Sequence, residues 1–243
     1  MNIAVQPPVA HEPSIALKPA ELDALRANLW FSALPIELQR GILRRCAIWH
    51  VPAHQTLGTQ SSVPDVWFGV AAGAVALSTQ SSRGRQTIVD LLEPGQWFGD
   101  VPLLSGLPAP YEARTWAPST LLLMRRSTLR ELLGDRPELG PALLHLNWCR
   151  SARLIERITD QREPLLEQQA RQLLARLTSR FGLPGRDATR ITLSMTQSQI
   201  ALLLGSSRQR TNQALKRLER QGVFRRSQQS IIVPHRPTRS TTP

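Results

Sequence analysis

The stretch MTQSQIALLLGSSRQRTNQALKRLERQG, residues 195–222, constrains the fold more than any other because it holds two helix starts ten residues apart. Thr196 is followed three residues later by Gln199, and Ser206 is followed at the same distance by Gln209. A hydroxyl residue with Gln or Glu three positions on is the signature of a capping box, which starts a helix. The glycine between the two starts can take a left-handed backbone at no steric cost. The stretch therefore predicts two short helices joined by a tight turn, a helix-turn-helix.

The second of these helices carries polar side chains in its first turns that no apolar core requires. They are Ser207, Arg208, Gln209, Thr211, Asn212, Gln213 and Lys216. Arg can donate two hydrogen bonds to guanine and Gln or Asn can pair with adenine, whereas hydroxyls and Lys suit phosphates. Together with Thr196 and Gln197 at the first helix start, these residues predict a surface that binds DNA. A plain helical hairpin is the alternative, and a closed capping box would leave Gln209 less able to reach a base.

The distribution of charge along the chain supports a polyanionic partner for this end. The net charge is +12, and residues 1–135 hold 11 basic and 11 acidic residues whereas residues 136–243 hold 19 and 7. Basic charge beside a patterned helix suggests nucleic acid, although charge alone does not separate DNA, RNA and anionic lipid. The segment GVFRRSQQSIIVP then predicts a strand, a polar turn and a strand, as in the wing of a winged helix.

The N-terminal part of the chain predicts a second domain of mixed structure. From about residue 19 to 45, apolar residues recur at helical spacing, and Pro35 is expected to separate two short helices. Between about 48 and 124, short apolar runs alternate with Gly, Pro and Ser turns. Runs of this length and spacing predict a small antiparallel barrel or sandwich.

The long helix predicted after the sequence GDRPELGP has an apolar stripe with heptad spacing. Leu144, Trp148, Ser151, Ile155 and Ile158 follow one another at intervals of 4, 3, 4 and 3 residues. Such a stripe is typical of helices that pair in a coiled coil. We therefore expect this helix to pair with a second copy of itself, with simple core packing as the alternative.

In sequence order, these motifs resemble the Crp/Fnr family of bacterial transcription regulators, over residues from about 20 to 236. The motifs that carry the resemblance are LEPGQWFGDVPLLSG, the helix after RPEL, and LSMTQSQIALLLGSSRQRTNQALKRLERQGVF. The resemblance implies an α+β fold with an N-terminal antiparallel, jelly-roll-like β-roll that senses an effector, a long dimerisation helix and a C-terminal winged helix-turn-helix. Arg208 would take the family's guanine-reading position. Gln209 and Gln213 stand where many members have Glu and Arg, so the half-site sequence stays open.

The same resemblance implies the domain boundaries and the partners. We expect a disordered leader at 1–18, a cyclic-nucleotide-binding-like effector domain at 19–135, a dimerisation helix at 136–163, a DNA-binding domain at 164–236 and a disordered tail at 237–243. The expected protein is a homodimer that binds near-palindromic double-stranded promoter DNA, contacts RNA polymerase and senses a small-molecule effector.

The effector pocket is where the motifs depart from the family. In members that bind cyclic nucleotides, a Gly-Glu pair is followed about ten residues later by Arg-Ser/Thr-Ala, which hold the ribose and the phosphate. Here Gly99, Asp100 and Val101 take the first place, and Tyr111 and Glu112 take the second. A tyrosine in place of the arginine, with a carboxylate beside it, predicts no useful affinity for cyclic AMP. The signal is left unidentified, and a cyclic-nucleotide-binding regulatory module is the alternative function.

Composition and motifs argue against several other classes of protein. Cys46 and Cys149 are far apart, so we expect no iron–sulfur cluster, and His50, His54 and His145 are lone histidines that do not predict haem. The roles of these cysteines and histidines stay open, a redox switch included. Catalytic motifs are missing, and we expect no enzyme. The N-terminus does not read as a signal peptide and the longest apolar run is too short to span a bilayer, so we expect a cytoplasmic protein without a membrane partner.

Overall fold

The computed structural model describes residues 16–80, 84, 86–161, 165–227 and 230–235. The chain divides into two compact units, with the boundary after Ala152. The predicted tail and most of the predicted leader lie outside the described residues, so the structure does not bear on their expected disorder. Within the described residues, none of the helices combines the length and apolar character needed to cross a membrane.

The first unit begins with helices, as the apolar periodicity predicted. They are α1 (Pro19–Ala27), α2 (Leu29–Ser32) and α3 (Ile36–Arg45). Pro35 is the N-cap of α3, so the proline does separate two helices. A further break, at Asn28, was not predicted. The Asn28 side chain accepts hydrogen bonds from the backbone N–H groups of Trp30 and Phe31 and thereby starts α2.

Antiparallel strands then form the β-roll. They are β1 (Ala47–Val51), β2 (Thr56–Gly58), β3 (Val66–Ala72), β4 (Val75–Gln80), β5 (Gln86–Leu92), β6 (Trp97–Phe98), β7 (Glu112–Thr115) and β8 (Ser119–Arg125), with helix α4 (Asp100–Ser105) between β6 and β7. One sheet has the order β1-β8-β3-β6 and the other β2-β7-β4-β5. The expected antiparallel sandwich is confirmed, and α4 is an addition that the strand pattern did not predict.

Two apolar clusters hold the first unit together. One lies inside the roll, where the Phe68 and Phe98 rings stack with centroids 5.0 Å apart. The other lies between the roll and the helices, where the Trp67 and Trp97 ring centroids are 4.4 Å apart. A Cβ at Gly69 would come within 2.9 Å of the Trp97 indole, so only glycine fits there. These contacts fix β6, and through it the start of α4.

Helices complete the first unit and lead into the second. α5 (Arg126–Asp135) is followed by the long helix α6 (Leu139–Gln161). Leu139, Leu143 and Leu146 of α6 are buried in the core of the first unit. The Trp30 indole N–H also donates a hydrogen bond of 2.6 Å to the Ala142 carbonyl, which fixes the start of α6 against α2.

The second unit is a helix-turn-helix with an antiparallel sheet. Its elements are α7 (Leu166–Phe181), β9 (Gly182–Pro184), β10 (Ala188–Ile191), α8 (Gln197–Leu203), α9 (Arg208–Arg220), β11 (Arg225–Ser227) and β12 (Ser230–Pro234). The strand order is β11-β12-β10-β9. Strands β11 and β12 are the wing predicted from the sequence, and the tip of its turn, residues 228–229, lies outside the described residues.

Candidate nucleic-acid interface and effector pocket

The starts of the two helices in the helix-turn-helix are set by local hydrogen bonds. The capping box of Thr196 and Gln199 is present in full at the start of α8. The second box is not: Ser207 rather than Ser206 caps α9, and its hydroxyl accepts a hydrogen bond of 3.3 Å from the Arg210 backbone N–H. The helix therefore starts one residue later than predicted. Gln209 is exposed and takes no part in the cap, so the reservation about its reach to a base no longer applies.

Helix α9 has one buried side and one polar side. Thr211, Ala214, Leu215 and Leu218 are buried against the rest of the unit. The opposite side, called here the reading face, consists of Gln209, Gln213, Lys216 and Arg220, which are all exposed. Because an α-helix turns once in 3.6 residues, the spacing of these four residues places them in one row. The row is free of apolar side chains and is shaped to enter a groove of DNA.

Thr211 requires a correction. The sequence interpretation placed it among the DNA-facing residues, but its side chain is fully buried. A buried hydroxyl cannot contact DNA. The signal that identifies it is the interval from Thr211 to Leu215 and Leu218, which are four and seven residues further on and share its side of the helix.

The other predicted DNA-binding residues lie on or beside the reading face. Exposed side chains are those of Thr196, Ser207, Arg208, Gln209, Gln213 and Lys216, while Gln197 and Asn212 are half-buried. Arg208 is at the first position of α9, on the edge of the helix nearer to Glu219. The first turn of α9 therefore presents Arg208 and Gln209 together at its tip.

The structure also adds arginines that the pattern of hydrogen-bonding residues did not single out. Arg210, Arg217, Arg220 and Arg225 are exposed on α9 and on the wing. The excess of basic charge was the signal for them, but only the turn of the helix assigns each to a side.

The start of the wing is held against α9 by Glu219, which is the one acidic residue within residues 191–243. The Arg226 backbone N–H donates a 3.1 Å hydrogen bond to one Glu219 oxygen, and the Arg226 Nε atom lies 3.8 Å from the other. A single carboxylate thus orients the wing relative to the reading face.

In the first unit, the predicted effector pocket begins at Gly99 and Asp100. Gly99 is the N-cap of α4 and has a φ of +91°, a conformation that favours glycine. Asp100 is buried, and both carboxylate oxygens are taken by residues of α6. Arg150 Nη1 donates to Oδ1 at 2.7 Å, and Asn147 Nδ2 donates to Oδ2 at 2.7 Å. Arg150 also donates to the Trp97 carbonyl, so α6 is bonded directly to the start of α4.

Tyr111 is half-buried against the apolar interior of the roll. Burial raises the pKa of Tyr111 to about 12, an effect that nearby Arg150 opposes and nearby Asp100 reinforces. The side chain is therefore a neutral phenol near pH 7. A neutral phenol can donate a hydrogen bond, but it cannot neutralise a phosphate.

Glu112 and Val101 contribute less to the pocket than the sequence suggested. Glu112 shares the outer side of β7 with Arg114, whose Nε atom lies 3.2 Å from the Glu112 carboxylate, while Ala113 between them is buried in the roll. Because adjacent residues of a strand point to opposite sides, the Glu112 charge is directed away from the interior and is paired. Val101 is half-exposed on α4. The predicted repulsion of a phosphate by Glu112 is therefore weaker than proximity in sequence implied.

The cysteines and histidines lie apart from these sites. Cys46 is partly buried against the helical core, and burial raises the pKa of its thiol, which favours the less reactive protonated form. His50 Nδ1 is 3.1 Å from the Thr120 hydroxyl. Among the described side chains, no three His, Cys, Asp or Glu residues are grouped closely enough to hold a metal ion.

Comparisons with known proteins agree with this architecture. A model of the cyclic nucleotide-binding domain matches residues 48–136, and a model of the Crp-like helix-turn-helix domain matches residues 167–238. The chain is 30% identical over 175 residues to the global nitrogen regulator of a Synechocystis species, covering 68% of this chain and 74% of that protein.

Two further relatives extend the comparison. Over 182 residues the chain is 26% identical to the CRP-like cAMP-activated global transcriptional regulator of Mycobacterium tuberculosis, covering 75% of this chain and 81% of that protein. The solved structure of FixK2 from Bradyrhizobium japonicum has the same fold, with a TM-score of 0.70 and 20% identity, covering 79% of this chain and 93% of that one.

Proposed function

The chain belongs to the Crp/Fnr family and is a DNA-binding transcription regulator of that type, and from this premise we propose that it works as a homodimer on two-fold symmetric promoter DNA. The observation that carries the proposal is the apolar stripe of α6. Leu144, Trp148, Ile155 and Ile158 are 75%, 69%, 64% and 57% exposed in the single chain, and Ser151 between them is exposed as well. Large apolar side chains in heptad register are expected to be covered by a second copy of the helix.

The proposed reading residues are Arg208, Gln209 and Gln213, with Asn212 at the edge. Their exposure on one end of α9 supports direct contact with base edges in the major groove. Lys216, together with Thr196, Gln197 and Ser207 at the helix starts, would contact phosphates and so fix the position of α9. Two-fold symmetry of the dimer would place two such helices in successive major grooves on one side of the duplex.

A selection of bound duplexes from a random DNA pool tests this function. We expect an enriched motif with two inverted half-sites whose centres are about one helical turn, roughly 10 base pairs, apart. No enrichment, or one asymmetric motif, would contradict the proposal. RNA polymerase is the proposed second partner, because the family's regulators act at promoters, and the proposed site of action is the cytoplasm.

The proposed effector is a small molecule other than cyclic AMP. Asp100 already has partners for both carboxylate oxygens, and Tyr111 has no positive charge to offer a phosphate. In this assignment residues 19–135 sense the effector, 136–163 form the dimer and 164–236 bind DNA, with no catalytic step. The match of residues 48–136 to the cyclic nucleotide-binding domain favours one second candidate, a regulatory module that binds a cyclic nucleotide.

A further inference from the structure

A groove with a volume of about 520 Å³ lies in the second unit, between the start of α7 and one side of α9. On the α7 side it is lined by Glu167, Gln168 and Arg171, and on the α9 side by Arg210, Gln213 and Arg217. Gln213 is also part of the reading face. The groove, called here the flank groove, therefore opens directly beside the surface that meets DNA.

The charges of the flank groove favour an anion. Three arginines face one glutamate, and the Arg217 Nη1 atom is 2.7 Å from the Glu167 carboxylate. Arg171 donates a 2.7 Å hydrogen bond to the Gln221 side-chain oxygen. Within the part of the chain that the structure describes, the exposed guanidinium of Arg210 has no recorded protein partner. Arg210 can therefore bind an anion without breaking an existing contact.

The position of the groove identifies which anion it would meet. Arg210 and Arg217 are seven residues apart, so they lie on the same side of α9, next to the reading face. An α-helix with its side chains is about 10–12 Å across, which is close to the width of the major groove of B-DNA. When the reading face enters the major groove, each side of the helix must meet a sugar-phosphate backbone. The side with Arg210 and Arg217 thus faces phosphodiesters rather than base edges.

Glu167 gives this contact an internal competitor. Its carboxylate would repel a phosphate in the same groove, and it holds Arg217 at ion-pair distance in the free protein. We propose that the flank groove binds the DNA backbone beside each half-site through Arg210, and that Glu167 limits the affinity by competing for Arg217. The proposal rests on the proposed function, because it requires α9 to enter the major groove.

The test uses the full chain, fluorescence anisotropy and two duplexes, one with the selected site and one scrambled. Arg210→Ala is expected to weaken both duplexes by a similar factor, about threefold to tenfold, and to reduce the salt slope by about one unit for each phosphate lost. Glu167→Gln is expected to tighten both duplexes and to steepen the slope, because Arg217 becomes available. Arg44→Ala, which removes an exposed arginine of α3 in the first unit, is the matched control and is expected to change neither.

Other outcomes separate the two proposals. If Arg210→Ala behaves like Arg44→Ala, or if it weakens only the selected duplex, the flank groove does not hold the backbone and the inference is wrong. Because Glu167→Gln also removes a link between α7 and α9, its thermal unfolding is recorded, and unchanged or weaker binding by a fully folded variant would overturn the role of Glu167. If the wild-type chain does not distinguish the two duplexes at all, it is the proposed function that fails.

Discussion

Arg208 and Lys216 are both exposed on α9, but they are expected to affect DNA binding differently. Arg208→Ala should cost about 1–3 kcal/mol per half-site and relax the preference at one base pair, because Arg can bond to both acceptors of guanine. Lys216→Ala should weaken all sequences about equally and reduce the salt slope by about one unit. Anisotropy titrations on specific and scrambled duplexes measure both. Equal losses on the two duplexes for Arg208→Ala would mean that Arg208 belongs only to the electrostatic surface.

Thr211 offers a test of the buried side of α9. In the described structure its hydroxyl is buried and has no hydrogen-bond partner. Replacing it with the isosteric valine removes the desolvation cost of that hydroxyl, so Thr211→Val should raise the free energy of unfolding by about 1 kcal/mol. Urea unfolding measures the gain, and the affinity for DNA should not change. A loss of specific DNA binding in a stable Thr211→Val protein would restore Thr211 to the DNA-binding residues.

Tyr111 and Glu112 make the prediction about cyclic AMP. Because Tyr111 is neutral and stands in the place of the phosphate-binding arginine, calorimetry should detect no binding in the micromolar range. The double variant Tyr111→Arg, Glu112→Ser should gain affinity, since it restores a charge and a hydroxyl at the matching positions. Micromolar or tighter binding by the wild-type protein would contradict this prediction.

At the scale of elements, the link between α4 and α6 depends on the buried pair of Asp100 and Arg150. Their side chains are 1% and 18% exposed, so neither charge is well solvated. Arg150→Gln leaves the Asp100 charge buried without its ion-pair partner, and we expect a loss of about 3–5 kcal/mol in the free energy of unfolding. Urea denaturation of the full chain measures this loss.

The matched control is the double variant Asp100→Asn, Arg150→Gln. It removes both charges, and it should recover much of the stability because no unpaired charge is left in the core. If the double variant is no more stable than Arg150→Gln alone, the ion pair is not what joins the two helices. The same variants also test whether the link between α4 and α6 affects DNA binding.

At the scale of the whole molecule, the stripe of α6 should decide the oligomeric state. Replacing Ile155 and Ile158 together with Glu would place like charges at the seam between two copies, and we expect monomers. Light scattering measures the mass. His145→Glu, at an exposed position on another side of α6, is the control and should leave a dimer. A dimer that persists in the Ile155→Glu, Ile158→Glu protein would place the interface elsewhere.

The features that could be predicted from the sequence are those that depend on neighbouring residues. The box of Thr196 and Gln199, the helix break at Pro35 and the wing all follow from short-range hydrogen bonds, steric limits or strand periodicity. The Crp/Fnr fold was also identified in this way, because its motifs are local. The predicted capping box at Ser206 shows the limit, since both adjacent serines can cap a helix and packing selected Ser207.

Only the tertiary structure decided which distant residues meet. The partners of Asp100 are 47 and 50 residues away on α6, and Arg217 meets Glu167 at a separation of 50 residues. Such contacts depend on how helices and sheets pack, and no spacing along the chain encodes them. The same holds for Thr211, a polar residue that packing buried, and for Glu112, whose charge the strand turned outward. The sequence by itself therefore determined the elements and the kind of partner, and packing determined which side chains can reach that partner.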